Sequence, residues 1–132
     1  MTIAVIDTNI VLRFLLADEP KLFARASALL SEVRTGKRNV YLAESVAAEC
    51  IFVLTKFYKV PKAEAAEKLS ELLDYKGFSA GPVPAVKQAL ALYAAHNIAF
   101  VDALILATAR QKGWHVETFD KALAKLAASP GS

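Results

Sequence analysis

Short, β-branched apolar runs alternate along this chain with longer stretches whose apolar residues recur at helical spacing. That alternation constrains the fold more than any other feature. Residues 3–6 form one such run, which suits a buried parallel strand and is ended by Asp7-Thr8-Asn9. A helix is expected over 10–17. Pro20 opens a second helical stretch to Thr35, with Leu22, Phe23, Ala26, Leu29, Leu30 and Val33 on one stripe and Gly36 closing it. Residues 39–42 read as a second strand, and 45–58 and 62–74 as helices parted by Pro61. Residues 78–81 read as a third strand, and 84–96 as a helix. A further helix starts at Val101 or Asp102 and runs to Lys112, where Gly113 ends it. Residues 115–119 read as a fourth strand, and a last short helix ends near Leu126. Strands alternating with helices predict a parallel sheet covered on both faces. In such sheets a ligand site lies outside the carboxyl ends of the strands.

The 132 residues, 55% of them apolar, can bury a real core, and a single domain over 1–128 with a frayed tail at 129–132 is expected. One cysteine, Cys50, excludes an intrachain disulfide. With only His96 and His115 beside it, a Cys-framed zinc site is excluded too. Any metal must be held mainly by oxygen, and a reducing cytosol is the expected compartment. Asp7 interrupts the first apolar run too early for a signal peptide. The greasiest stretch, 98–107, is too short to span a bilayer and contains Asp102. A soluble, cytoplasmic protein with no membrane partner is expected.

Residues that follow strands therefore come under suspicion. Asp7 ends the first run, Asp120 follows the fourth, and Asp102 opens a nearly all-apolar helix. Glu49 lies inside the apolar stretch Val46-Ala47-Ala48-Glu49-Cys50-Ile51-Phe52. Each acid also has a plain structural role open to it. An Asp before a helix commonly accepts backbone N–H bonds as an N-cap, and Glu49 can sit at a solvated helix edge. Four carboxylates crowded at one sheet edge repel one another, however, and a divalent cation removes the conflict. Mg²⁺ and Mn²⁺ prefer such oxygen ligands, and the chemistry they support best is hydrolysis of a phosphodiester by an activated water.

Asp7-Thr8-Asn9-Ile10-Val11-Leu12-Arg13 resembles the opening motif of PIN domains, in particular the ribonuclease toxins of VapBC toxin–antitoxin modules. Ala48-Glu49-Cys50-Ile51-Phe52-Val53-Leu54, Phe100-Val101-Asp102-Ala103-Leu104 and Thr118-Phe119-Asp120-Lys121-Ala122-Leu123 resemble the motifs that follow, in order, and the likeness spans 3 to about 126. The resemblance implies a three-layer α/β/α sandwich around a parallel sheet of four or at most five strands. It implies Mg²⁺ or Mn²⁺ held by Asp7, Glu49, Asp102 and Asp120, with Thr8, Asn9 and Thr118 supporting the site. It further implies endonucleolytic RNA cleavage, a homodimer, and a cognate VapB-like antitoxin that covers the acidic pit.

Charge points the same way. With four acids in a metal site, sixteen Lys and Arg face nine remaining acids, a surplus of seven that suits a polyanion. Arg34, Lys37 and Arg38 form one basic group and Lys56, Lys59 and Lys62 another. Arg13, close to Asp7, is the strongest candidate for phosphate contact. The competing reading is a non-catalytic module on the same fold that binds RNA or protein. A phosphatase with an aspartyl nucleophile wants a second acid two residues on, where this chain has Asn9. A dinucleotide enzyme wants a Gly-x-Gly-x-x-Gly that is missing after the first run.

Overall fold

Two three-residue strands, β1 (Ile3–Val5) and β2 (Asn39–Tyr41), pair in parallel, with Ile3 opposite Asn39 and Val5 opposite Tyr41. The computed structural model describes residues 2–129. Around this pair stand α1 (Thr8–Leu16), α2 (Pro20–Thr35), α3 (Glu44–Phe52), α4 (Lys62–Leu72), α5 (Val83–Ala95), α6 (Phe100–Lys112) and α7 (Lys121–Ala128). α3 runs on without a break into a π-helical turn, Val53–Phe57. None of the helices among the described residues is long and apolar enough to cross a membrane.

The helices form where the apolar spacing puts them. α2 starts on Pro20, whose fixed φ suits the first helical turn. It buries Ala26, Leu30 and Val33 along one stripe and stops at Gly36, whose φ of 84° lets its N–H reach the Val33 carbonyl. α5 and α6 pack closely, and the Tyr93 and Phe100 rings meet edge to face at 5.6 Å between them. One core joins the strands to the helices, with Val11, Leu30, Val40, Cys50, Leu54, Leu69, Leu90 and Leu106 fully or almost fully buried.

The sheet is smaller than the four or five strands expected. Residues 78–81 do not form a third strand. A 3₁₀ turn at Lys76–Phe78 takes up its first residue, and a single parallel bridge from Tyr41 to Ala80 is what remains of the pairing. The cause is local. Gly77 presses against the carbonyl of Arg38, and a Cβ there would also stand 2.8 Å from Cγ1 of Val33. The backbone is held too close to α2 and its exit to run on as a strand.

Residues 115–119 do not form a fourth strand either. His115, Glu117 and Phe119 are exposed while Val116 and Thr118 are half-buried, so the segment keeps a strand's alternation. It makes none of the ladder bonds, and among the described residues no backbone bond ties it to β1. β1 is therefore paired on one side only, and Val5 is 76% exposed. Of the expected frayed tail, Ser129 is described, capping α7, and 130–132 lie outside the described residues.

Candidate functional site

Asp7 sits where β1 hands over to α1. Its backbone is extended, and its Oδ1 accepts the Thr8 N–H at 2.8 Å, so it caps α1 with one carboxylate oxygen and leaves the other uncommitted. Ile6 before it and Thr8 after it are buried, and the Ile6 N–H donates to the Tyr41 carbonyl. The acid is thus an exposed group between buried neighbours. Thr8 supports this position by burial. Asn9, exposed in the first turn of α1, borders a cleft of about 460 Å³ between α1 and α2.

Glu49 is exposed on α3, one residue before the fully buried Cys50. α1 packs on α3 and α3 on α6. The buried Cys50 thiol lies in the field of both acids. Burial pushes its pKa up to about 12, and the negative charges of Glu49 and then Asp7 push in the same direction. Asp102, half-buried, lies in the first turn of α6, where the positive end of the helix dipole favours it. Asp120 is exposed and caps α7, its Oδ1 accepting the Leu123 N–H at 2.8 Å, while Thr118 Oγ1 accepts the Asp120 N–H at 3.0 Å.

The donor chemistry suits a hard divalent cation, being all carboxylate oxygen. Among the described residues no Lys or Arg forms an ion pair with Asp7, Glu49, Asp102 or Asp120. The set is not closed, however: no three acidic, His or Cys side chains among the described residues come together as a ligand group. Asp7 and Glu49 both act on the Cys50 thiol, and Asp120 stands on a segment whose bonds are local.

Arg13 is already occupied. Its Nη1 donates to Asp18 at 3.0 Å and Glu19 at 3.3 Å, and its Nη2 to the Tyr58 hydroxyl at 3.3 Å, so it clasps the α1–α2 loop to the end of the π-helical turn. A phosphate contact there has to displace these partners. Sequence reasoning missed Cys50 as the neighbour of two acids. Its adjacency to Glu49 was visible, but its closeness to Asp7 is a tertiary fact with no local signal.

The chain matches no curated protein and no solved structure at a significant level. The family model of the PIN domain matches residues 4–129, nearly the whole chain and all four acids, and the chain therefore belongs to the PIN domain family, whose members are generally nucleases.

Proposed function

We propose that this chain is a metal-dependent endoribonuclease, the toxin component of a type II toxin–antitoxin module of the VapC kind, acting in the cytoplasm. The observation that carries the proposal is the PIN family match across all four acids, with no cation paired to any of them among the described residues. Carboxylates with no cationic partner suit a cation site. Asp7, Glu49 and Asp102 would hold Mg²⁺ or Mn²⁺ directly, and Asp120 would act on the ion through an intervening water. A bound ion of this type supplies an acidified water and polarises a phosphoryl oxygen. The chain's own part is positional: Thr8 and the buried Ile6 hold Asp7 still, Cys50 anchors the turn that carries Glu49, and the α6 N-terminus holds Asp102. The basic surplus elsewhere on the surface favours approach of an RNA strand.

A homodimer and a VapB-like antitoxin belong to the same proposal. Their support is the exposed aromatic surface at the end of the π-helical turn, where Phe57 is 71% exposed. The non-catalytic alternative keeps one observation in its favour, the absence of a closed ligand group among the described residues.

Incubation of the protein with a mixed RNA pool and matched DNA, in Mn²⁺, Mg²⁺ or EDTA, separates the two readings. The expected result is RNA cleavage that needs metal and disappears in Asp7→Asn. RNA binding without cleavage under every metal condition would establish the binding module instead.

A further inference from the structure

A cleft of about 420 Å³ opens between the carboxyl end of α3, its π-helical turn and the start of α6. Its composition is unlike that of the cleft beside Asn9. Phe52, 55% exposed, forms an aromatic wall at the rim, and Tyr93 and Phe100 lie deeper. Asn97 lines it with an amide that makes no side-chain hydrogen bond among the described residues. Thr55 Oγ1 donates to the Ile51 carbonyl at 2.8 Å, which leaves its lone pairs free to accept.

Two ammonium groups complete the lining. Lys62 is held in place, its Nζ 2.7 Å from the His96 carbonyl and 4.9 Å from the centre of the Tyr93 ring. Both partners are neutral, so the charge is positioned without being neutralised. Lys56 is exposed, and no carboxylate among the described residues pairs with either lysine. The cleft also adjoins the acids. Glu49 precedes Phe52 by three positions on one helix, which makes them neighbours on its surface, and Val101 at the rim immediately precedes Asp102. The π-helical turn matters here, because widening the helix by one residue sets Thr55 and Lys56 on the cleft wall with Phe52.

A flat apolar wall, an uncommitted amide and hydroxyl, and unpaired cations beside uncompensated acids match one ligand class. A nucleotide has a stackable face, a hydrogen-bonding edge and an anionic backbone. We propose that this cleft is a nucleotide subsite that takes the base of single-stranded RNA adjoining the phosphate cut at Asp7 and Glu49, with the base on Phe52, its edge toward Asn97 and Thr55, and the backbone toward Lys56 and Lys62. The proposal rests on the nuclease reading and adds where the strand lies.

The test uses short single-stranded RNA carrying 4-thiouridine, with the wild-type protein in EDTA so that binding is read without cleavage. Photocrosslinks are expected to map to the peptides holding Phe52 and residues 97–101. Phe52→Ala removes an exposed ring and is expected to weaken RNA binding about fivefold to a hundredfold, the range of one base–aromatic stack. Lys56→Gln is expected to lower the salt dependence of binding, by about 0.7 in the log–log slope if one phosphate contact is lost. In Mn²⁺ or Mg²⁺, Phe52→Ala should raise KM more than it lowers kcat. Wild-type cleavage of RNA with crosslinks elsewhere, and with Phe52→Ala binding unchanged, overturns the subsite and leaves the nuclease reading standing. Conversion of a dimer to a monomer by Phe52→Ala, at unchanged RNA affinity, shows that the cleft is a protein interface and also overturns the subsite. RNA neither bound nor cut by the wild type overturns both.

Discussion

Asp7 and Asp120 both follow a stretch that reads as a strand, and both cap a helix, yet the molecule holds them in different ways. Asp7 stands between buried Ile6 and Thr8, just past a strand bonded to β2, thirty-odd residues further along the chain. Asp120 is held by bonds to Thr118 and Leu123, all within six residues of sequence, and the segment before it bonds to no strand. The first acid is positioned by the fold and the second by its own turn. An acid fixed by distant packing can be aimed at a partner on another element. An acid fixed by a local cap goes wherever its helix goes.

The largest consequence concerns catalysis. Asp7→Asn keeps an N-cap of equal quality and removes a charge. Loss of groups that merely orient a metal ligand typically costs about 10–100-fold, so loss of a ligand itself should cost more than about 100-fold in cleavage rate. Thermal unfolding of the variant should match that of the wild type. Near-normal cleavage by a folded Asp7→Asn protein would remove the acid from the site and dissolve the contrast with Asp120.

Next comes the rigidity of the side that holds Asp7. Gly77 lies against the Arg38 backbone just before β2, with Val33 Cγ1 2.8 Å from where a Cβ would sit. Gly77→Ala therefore overpacks the junction of α2 and β2 and is expected to destabilise by about 1–3 kcal/mol. A drop in the chemical-denaturation midpoint at constant slope would show it. An unchanged midpoint would mean that this junction yields easily, and that Asp7 rests on a softer base than its burial implies.

Cys50 supplies a pH-dependent test of the same region. Its thiol pKa is raised from 9.0 to about 12, first by burial and then by Glu49 and Asp7. A raised pKa means that the folded state keeps the proton after the unfolded chain has lost it. The stabilisation is complete below pH 9 and is lost as pH climbs toward 12. One pH unit above the unfolded value the loss amounts to about 1.4 kcal/mol. The difference in stability between wild type and Cys50→Ala should therefore shrink by roughly that amount between pH 8 and pH 10. A constant difference would show that the thiol is neither dry nor close to the two acids.

Much of this architecture was legible in the residues, and the boundary of legibility follows the same division. Helices announce themselves locally: Pro20, the stripe through Ala26, Leu30 and Val33, and Gly36 define α2 with no reference to the rest of the chain. β1 was legible because its apolar run is ended by a capping Asp. Whether 115–119 pairs is different, since alternation is a local property and a ladder needs a partner in register. The π-helical turn after Phe52 was read as continuous helix, because one extra residue per turn leaves the apolar stripe nearly intact. The four acids were found by type and position. How they sit relative to one another is set by packing among α1, α3 and α6 that no single stretch encodes.

The smallest expected effect falls on the acid that looks most like Asp7 in sequence. Asp120→Asn preserves the cap on Leu123 and removes one exposed charge. On a segment that stands away from the strands, that charge acts on the reaction through solvent or an intervening water, and cleavage should fall by no more than about tenfold, the lower end of the range for outlying groups at metal sites. The comparison is made in one assay, with Asp7→Asn and Asp120→Asn at matched metal concentration. If the two losses are equal, the segment carrying Asp120 does not stay where the structure has it. The free edge of β1, with Val5 exposed, and the alternation of 115–119 then supply the physical means: the segment takes up a ladder along β1 and carries Asp120 to the carboxyl end of the sheet beside Asp7. Unequal losses, with Asp7 far the greater, keep the two acids as different as their surroundings make them.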